Sequence, residues 1–264
     1  MSARADRTKH LLSMRGWDRA GLSALFELAH AYEAGVGPRF DGVAAMFFPP
    51  SSLRTRVSFE RGAAEIGLQP ITLPPETLEK DEDLADVAGY LSQWADLVVV
   101  RHPEMGVLER LAATGALPVI NAMTSVNHPC EVLADLYALS RNADITQPRY
   151  LFIGADGNIA RAWWEAAQVF GLDIRQRCPS GLRVAGMPWE EDPRHAIATA
   201  DVVLTDGPGH HGELLAPYRV IAELLDLAPS GVRFAPCPPL VRGREVSADA
   251  ITHGAFVDMS SNED

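Results

Sequence analysis

The sequence predicts an α/β protein of two domains, each a parallel sheet flanked by helices. Three observations carry this expectation. Apolar runs of strand length alternate with stretches of helical periodicity; each run is halted by Gly, Pro or polar residues; and a polar, proline-bearing stretch, "NADITQPR", interrupts the alternation near residue 145. The domains are therefore drawn as 1–145 and 146–264. With 264 residues, 47% of them hydrophobic, the chain has apolar material for one large core or two smaller ones.

The elements follow in order. "DRAGLSALFELAHAYEAG" places apolar residues at helical spacing, with Asp18 as N-cap and Gly35 as stop. "GVAAMFFPP" is a short buried strand ended by prolines, which lack the N–H that a ladder needs. "PSSLRTRVSFE" opens a helix near Ser52 and sets Arg54 and Arg56 close together. "ADLVVVRHP" and "ALPVINAM" are further strands, and the helical "EVLADLYALSRNA" completes the first half. In the second half the strand "RYLFIGADG" precedes the helix "ARAWWEAAQVFG", and "ADVVLTDG" and "GVRFAPCPP" are the later strands. No internal repeat or low-complexity segment is present.

A formal net charge of −12 argues against nucleic acid or a membrane surface as partner, so any anion site must be a local basic exception. The N-terminal "MSARADRTKHLL" lacks a long apolar core and no later run approaches membrane length, from which neither signal nor anchor is expected. Cys130, Cys178 and Cys237 are too few and too scattered for a disulfide framework or a zinc site, which fits a reducing cytoplasm.

In parallel sheets, ligands lie beyond the carboxyl ends of the strands. Ser52, Arg54 and Thr55 follow the first strand, Arg101 follows "LVVV", and His128, Pro129, Cys130 and Glu131 follow "PVINA". Guanidinium groups, hydroxyls, an imidazole and the free N–H groups of a helix start together suit a phosphate or another compact dianion. Taken singly, Ser-x-Arg-Thr reads more often as a solvated helix cap, and His128 and His102 more often as structural histidines.

"SLRTRVSFE", "RHPEMG", "PVINAMTSVNHPCEVLADL", "GADGNIAR" and "PCPPLVRGREVS" occur in the order and approximate spacing of the aspartate/ornithine carbamoyltransferase family, and the resemblance covers nearly the whole chain. "HPCEVLADL" and "PCPPLVRGREV" are most similar to the ornithine branch, whereas "RHPEMG" resembles the aspartate branch. The resemblance implies the carbamoyltransferase fold, with carbamoyl phosphate bound on the first domain and a primary amine between the domains. It also implies carbamoyl transfer without metal or organic cofactor. Ser52, Leu53, Arg54 and Thr55 would surround the phosphate, Arg101 and His128 would face the carbonyl oxygen and phosphate, and Arg56 would support the loop. Glu131 takes the place of a residue that accepts from the carbamoyl NH₂. Asn158, Asp206, His210, His211, Cys237 and Pro238 fall at the amine site, with Asp206 for the ammonium group and Cys237 beside the reacting amine.

Physical readings remain beside these roles. "GADGNIAR" has part of a dinucleotide loop but not the full glycine spacing. Asp206 also suits a helix cap, Cys237 a small apolar core residue, and His210 with His211 a polar loop. The resemblance further implies a homotrimer in which "ETLEKDEDLADVAGYL" reaches a neighbour's phosphate site with Lys80; by charge alone Lys80 reads as a solvated surface residue.

The departures from the family pattern are specific. Leu53 replaces a threonine, Glu131 a glutamine, His210-His211 a Ser-Met pair, and Pro236 and Pro238 the histidine and leucine around Cys237. The segment between Cys178 and Trp189 leaves room for one helix fewer, and "DMSSNED" puts Glu263 where an arginine is expected, as in a trimmed member. Two functions follow: a carbamoyltransferase acting on an ornithine-like amine, or a catalytically weak or silent trimer with a scaffold or regulatory role. Retention of Ser52, Arg54, Thr55, Arg101 and His128 favours the enzyme.

Overall fold

The computed structural model describes residues 9–141 and 143–257, and Glu263 lies outside them. Contacts divide the chain into two compact units, residues 1–130 and 131–264. This division falls earlier than the "NADITQPR" stretch, because helical residues from Glu131 onward group with the second unit.

The first unit begins with α1 (Arg19–Glu33), where the Asp18 carboxylate accepts the Gly21 N–H at 2.7 Å, as the N-cap reading expects. Then come β1 (Gly42–Phe47), α2 (Leu53–Ile66), β2 (Leu68–Leu73), α3 (Leu84–Leu91), β3 (Leu97–Arg101), α4 (Met105–Ala113) and β4 (Val119–Met123). The strands pair in the order β2-β1-β3-β4, every pair parallel. Ala45, Phe47, Val98 and Val100 pack with Leu108 and Leu111 of α4, while Ala44, Met46 and Val99 pack with Ala63 and Ala122. Consecutive residues thus enter different clusters, as the two-residue period of a strand requires when both sheet faces are covered. The chain near Leu11 runs along β4, donating its N–H to the Val119 carbonyl and accepting from the Asn121 N–H.

The helix α5 (Pro129–Ser140) leads into the second unit, where β5 (Arg149–Ile153), α6 (Asn158–Phe170), β6 (Asp173–Arg177), α7 (Pro193–Ala198), β7 (Val202–Thr205), α8 (Gly212–Leu215), α9 (Ala222–Leu225), β8 (Arg233–Pro236) and α10 (Ala248–Ile251) follow. This sheet has the order β6-β5-β7-β8 and is again parallel throughout. Leu151, Ile153, Val203 and Phe234 share a cluster with Ile197 of α7 and Leu225 of α9. Tyr150 stacks near Trp163 of α6, with ring centroids 5.7 Å apart.

Strands β2 and β6 escaped the sequence reading. Both are sheet edges, "LQPITL" carrying a proline and "DIRQR" mostly charged or polar residues, so neither shows the apolar run of a central strand. Between Cys178 and Trp189 the described structure holds only a 3-10 turn at Ser180–Leu182. Leu108 is fully buried against β3, so Leu108→Ala is expected to lower unfolding free energy by about 2–5 kcal/mol. Leu227→Ala, at a surface position, should stay within about 0.5 kcal/mol; urea denaturation measures both.

Candidate functional site

The first unit gathers its polar groups where β1, β3 and β4 end. After β1 the chain turns through Pro49–Ser52, and Ser52 becomes the N-cap of α2 without using its hydroxyl as a cap. That hydroxyl accepts instead from Arg101 Nη1 at 3.2 Å, and the same nitrogen donates to Thr55 Oγ1 at 2.8 Å. Arg101 is the last residue of β3, so one guanidinium ties the strand end to the first turn of α2. Backbone N–H groups in that turn lack intrahelical acceptors and add the positive end of the helix dipole. Arg54 stands exposed in the same turn, and its guanidinium has no hydrogen bond or ion pair among the described residues.

Arg56 behaves differently. It donates from Nε to Glu60 at 2.8 Å within α2, and Glu60 in turn accepts from Thr72 of β2, so Arg56 is committed to a partner on its own helix. The adjacent arginines therefore divide into one committed and one uncommitted guanidinium. Leu53, 70% exposed, presents apolar surface at the helix start.

The turn before α5 is fixed by Thr124, whose hydroxyl accepts from the N–H groups of Val126 and Asn127, while its own N–H donates to the Asn127 carbonyl. His128 follows, only 6% exposed. Burial, reinforced by the Arg101 charge, lowers its pKa from 6.5 to about 4, so the imidazole is neutral near pH 7. His102 serves a separate, structural purpose. Its Nδ1 accepts from the Glu104 N–H, which puts the proton on Nε2, 3.1 Å from Glu79 Oε1. This bond fastens the segment holding Lys80. Lys80 itself is exposed in the bend between a 3-10 turn at Pro75–Leu78 and α3, so only part of "ETLEKDEDLADVAGYL" is loop.

In the second unit, Glu131 lies in the first turn of α5, Asp206 follows β7 and Cys237 follows β8. Cys237 Sγ donates to Glu131 Oε1 at 3.8 Å, and its N–H donates to the Thr205 carbonyl at 2.8 Å. Burial raises the thiol pKa, as do the charges of Asp206, Glu131 and Asp135, so the group stays a thiol. Burial also pushes Asp206 up to about 6, partly offset by the Gly207 N–H and reinforced by Glu245 and Glu131. Asp135, buried on α5, is raised well above the carboxylate range by burial and then by Glu131.

A cavity of about 150 Å³ opens where β5 and β7 end, lined by Asp206, Tyr218, Arg219, Arg244 and Glu245 among others. Asn158, His210, His211, Cys237 and Pro238 do not line it. Asn158 begins α6 and accepts the Ile159 N–H, while His210 and His211 sit in a short 3-10 turn. In "GADGNIAR", Asp156 forms a two-point ion pair with Arg161, at 2.6 and 3.0 Å. Arg219, Arg244 and Glu245, which line this cavity, were not singled out in the sequence; Arg244 and Glu245 stand inside the motif "PCPPLVRGREVS", but beyond the residues adjoining a strand end. Among the described residues, no helix is long and apolar enough to cross a membrane.

Comparison with known proteins agrees with this arrangement. A family model described as the carbamoyl phosphate-binding domain of aspartate/ornithine carbamoyltransferase matches residues 9–141. The ornithine carbamoyltransferase of Methanothermobacter thermautotrophicus is 32% identical over 96% of this chain and 94% of its own length. That of Chromobacterium violaceum is 34% identical over 81% and 77%. Among solved structures, the ornithine carbamoyltransferase of Pyrococcus furiosus superposes with a TM-score of 0.88 at 26% identity, covering 96% of this chain and 92% of that one. The Burkholderia thailandensis enzyme gives 0.86 at 26% identity, covering 95% and 92%. The chain belongs to the aspartate/ornithine carbamoyltransferase family, with its similarities in the ornithine branch.

Because the neutral His128 takes a proton more readily once unfolded, its contribution to stability is complete above about pH 6.5 and is lost as pH falls toward 4. Urea titrations should show His128→Gln removing part of that acid sensitivity, on the order of 3 kcal/mol across the interval.

Proposed function

We infer that this chain is a carbamoyltransferase that moves the carbamoyl group of carbamoyl phosphate to the side-chain amine of ornithine or a close analogue, releasing phosphate. The observation that carries the reading is Arg101 holding the Ser52 and Thr55 hydroxyls together at the start of α2, beside an uncommitted Arg54, in a chain whose relatives are ornithine carbamoyltransferases.

The chemistry follows from the groups available. An uncharged amine nitrogen attacks the carbonyl carbon, the bond from that carbon to the phosphate oxygen breaks, and the nitrogen gives up one proton. Negative charge grows on the carbonyl oxygen and on the departing phosphate, which preorganised donors stabilise. Arg54 is the leaving-group clamp, its planar fork matched to phosphate oxygens. Ser52, Thr55 and the first-turn N–H groups complete the cradle, with Leu53 shielding its edge. Arg101 supplies fixed positive charge, and the neutral His128 offers an N–H to the carbonyl oxygen without competing as a cation. Glu131 accepts from the carbamoyl NH₂, and Asp206 receives the acceptor's ammonium group. Asn158, His210, His211, Cys237 and Pro238 complete the amine side, where the protonated thiol contributes a small, weakly polar surface.

The reading extends to a homotrimer working without cofactor in a reducing cytoplasm, as its three free cysteines suggest. Lys80, exposed and carried on a segment that His102 fastens through Glu79, is the cation a neighbouring copy would add to the phosphate site. A second reading, a catalytically weak scaffold, draws on Glu131, which brings negative charge toward a dianion.

In a phosphate-release assay with carbamoyl phosphate, L-ornithine should be turned over and L-aspartate should give only background; the opposite preference would reject the ornithine reading. Calorimetric titration should find that Arg54→Ala weakens carbamoyl phosphate binding by about 2–4 kcal/mol, and an unchanged affinity would remove Arg54 from the site. Inactive Arg54→Ala and Lys80→Ala subunits, mixed and reassembled, should recover partial activity. A monomer by light scattering, or no recovery in verified mixed trimers, would rule out shared sites.

A further inference from the structure

The chain on either side of His128 is tied to one buried residue, Asn121 of β4. Asn127, just before the imidazole, has a carbonyl that accepts the Thr124 N–H at 2.9 Å, the Thr124 hydroxyl at 3.2 Å and the Asn121 Nδ2 at 3.4 Å. Two residues past the imidazole, the Cys130 thiol donates to the Asn121 carbonyl at 3.3 Å. The same residue also faces the other way. Its Nδ2 donates to the Leu12 carbonyl at 2.8 Å, and its backbone N–H donates to the Leu11 carbonyl at 2.8 Å. Residues 10–12 are thereby fixed along β4, with His10 Nδ1 accepting the Val119 N–H.

Packing alone does not account for an amide here. Asn121 is fully buried and its Oδ1 has no hydrogen-bond partner, a cost that an apolar side chain of the same size would avoid. The strand ladder also slips at this point, since Val100 pairs with Asn121 and Arg101 pairs with Met123. Such a slip re-aims the side chains beyond it, and both Arg101 and the turn to His128 lie beyond it. We propose that Asn121 is a positioning residue for His128, its amide coupling residues 10–12 to the turn that presents the imidazole. The assignment rests on the carbamoyl-transfer reading, in which the His128 N–H meets the carbonyl oxygen. A donor misplaced by about 1 Å fails the charge that grows on that oxygen, so the loss falls on kcat more than on KM.

The test compares Asn121→Ala with Leu108→Ala, a core truncation in the same unit but outside this network, by phosphate release from carbamoyl phosphate and L-ornithine. Both should lower the thermal midpoint. Only Asn121→Ala should reduce kcat about 10-fold or more, with KM for carbamoyl phosphate changed less than about 3-fold. In a His128→Gln background the Asn121→Ala loss should shrink to about 2-fold or less, because the group it positions is gone. NMR titration of the His128 imidazole should show its pKa, about 4 in the parent, moving toward 6.5 in Asn121→Ala and unmoved in Leu108→Ala. Asn121→Ser, which leaves a smaller void, replaces Asn121→Ala if that variant does not fold, with the same outcomes expected. Equal kcat in the Asn121 and Leu108 variants, or a full additive loss on top of His128→Gln, would overturn the positioning role. A parent that releases no phosphate would overturn the transfer reading instead. The imidazole titration then decides the role of Asn121 alone, and an unchanged pKa rejects it.

Discussion

The contact from Arg101 Nη1 to Ser52 Oγ and Thr55 Oγ1 joins the end of β3 to the start of α2, and the first unit's polar site depends on it. Without that guanidinium the two hydroxyls would be free to turn toward the backbone, as Ser and Thr at a helix start commonly do. With it, Ser52 forgoes its capping role, and Arg54 is left uncommitted beside it. The same charge helps keep His128 neutral. One side chain thus orients the two hydroxyls and adds to the burial that keeps the imidazole neutral, a form of preorganisation in which the donors are oriented in advance.

The parallel sheets explain why these groups meet. In the first unit β1 lies next to β3 and β3 next to β4, so residues following three separate strands emerge at one edge. In the second, β5 and β7 are neighbours, and the space past their ends is walled by Asp206 and by the later segments that carry Arg219, Arg244 and Glu245. Each unit therefore offers opposite chemistry at its strand ends. The first gathers cations and hydroxyls. The second buries acids, with thiol and carboxyl protons held more tightly than usual.

Much of this was legible in the sequence, for identifiable reasons. Strands β1, β3, β4, β5, β7 and β8 are largely buried and read as apolar runs, and the rule that ligands lie past strand ends then picked out Ser52, Arg54, Thr55, Arg101 and His128, while Asp206 came from the family resemblance. The edge strands β2 and β6 were hidden because half-buried strands tolerate Pro70 or the charged residues of "DIRQR". The commitment of Arg56 was hidden because its partner Glu60 is one helical turn away, and the tie from Glu60 to Thr72 reaches an unrecognised strand. Glu245 and Arg219 escaped because irregular chain brings them together; no periodicity marks such positions.

The guanidinium at position 101 bridges two hydroxyls, and one substitution separates its geometry from its charge. Arg101→Lys keeps the charge but gives up the planar fork and the second donor direction. Calorimetric titration of inorganic phosphate into parent and variant measures the difference directly. Arg101→Lys is expected to weaken phosphate binding about 10-fold or more, whereas equal affinity in the two proteins would contradict the bridging role.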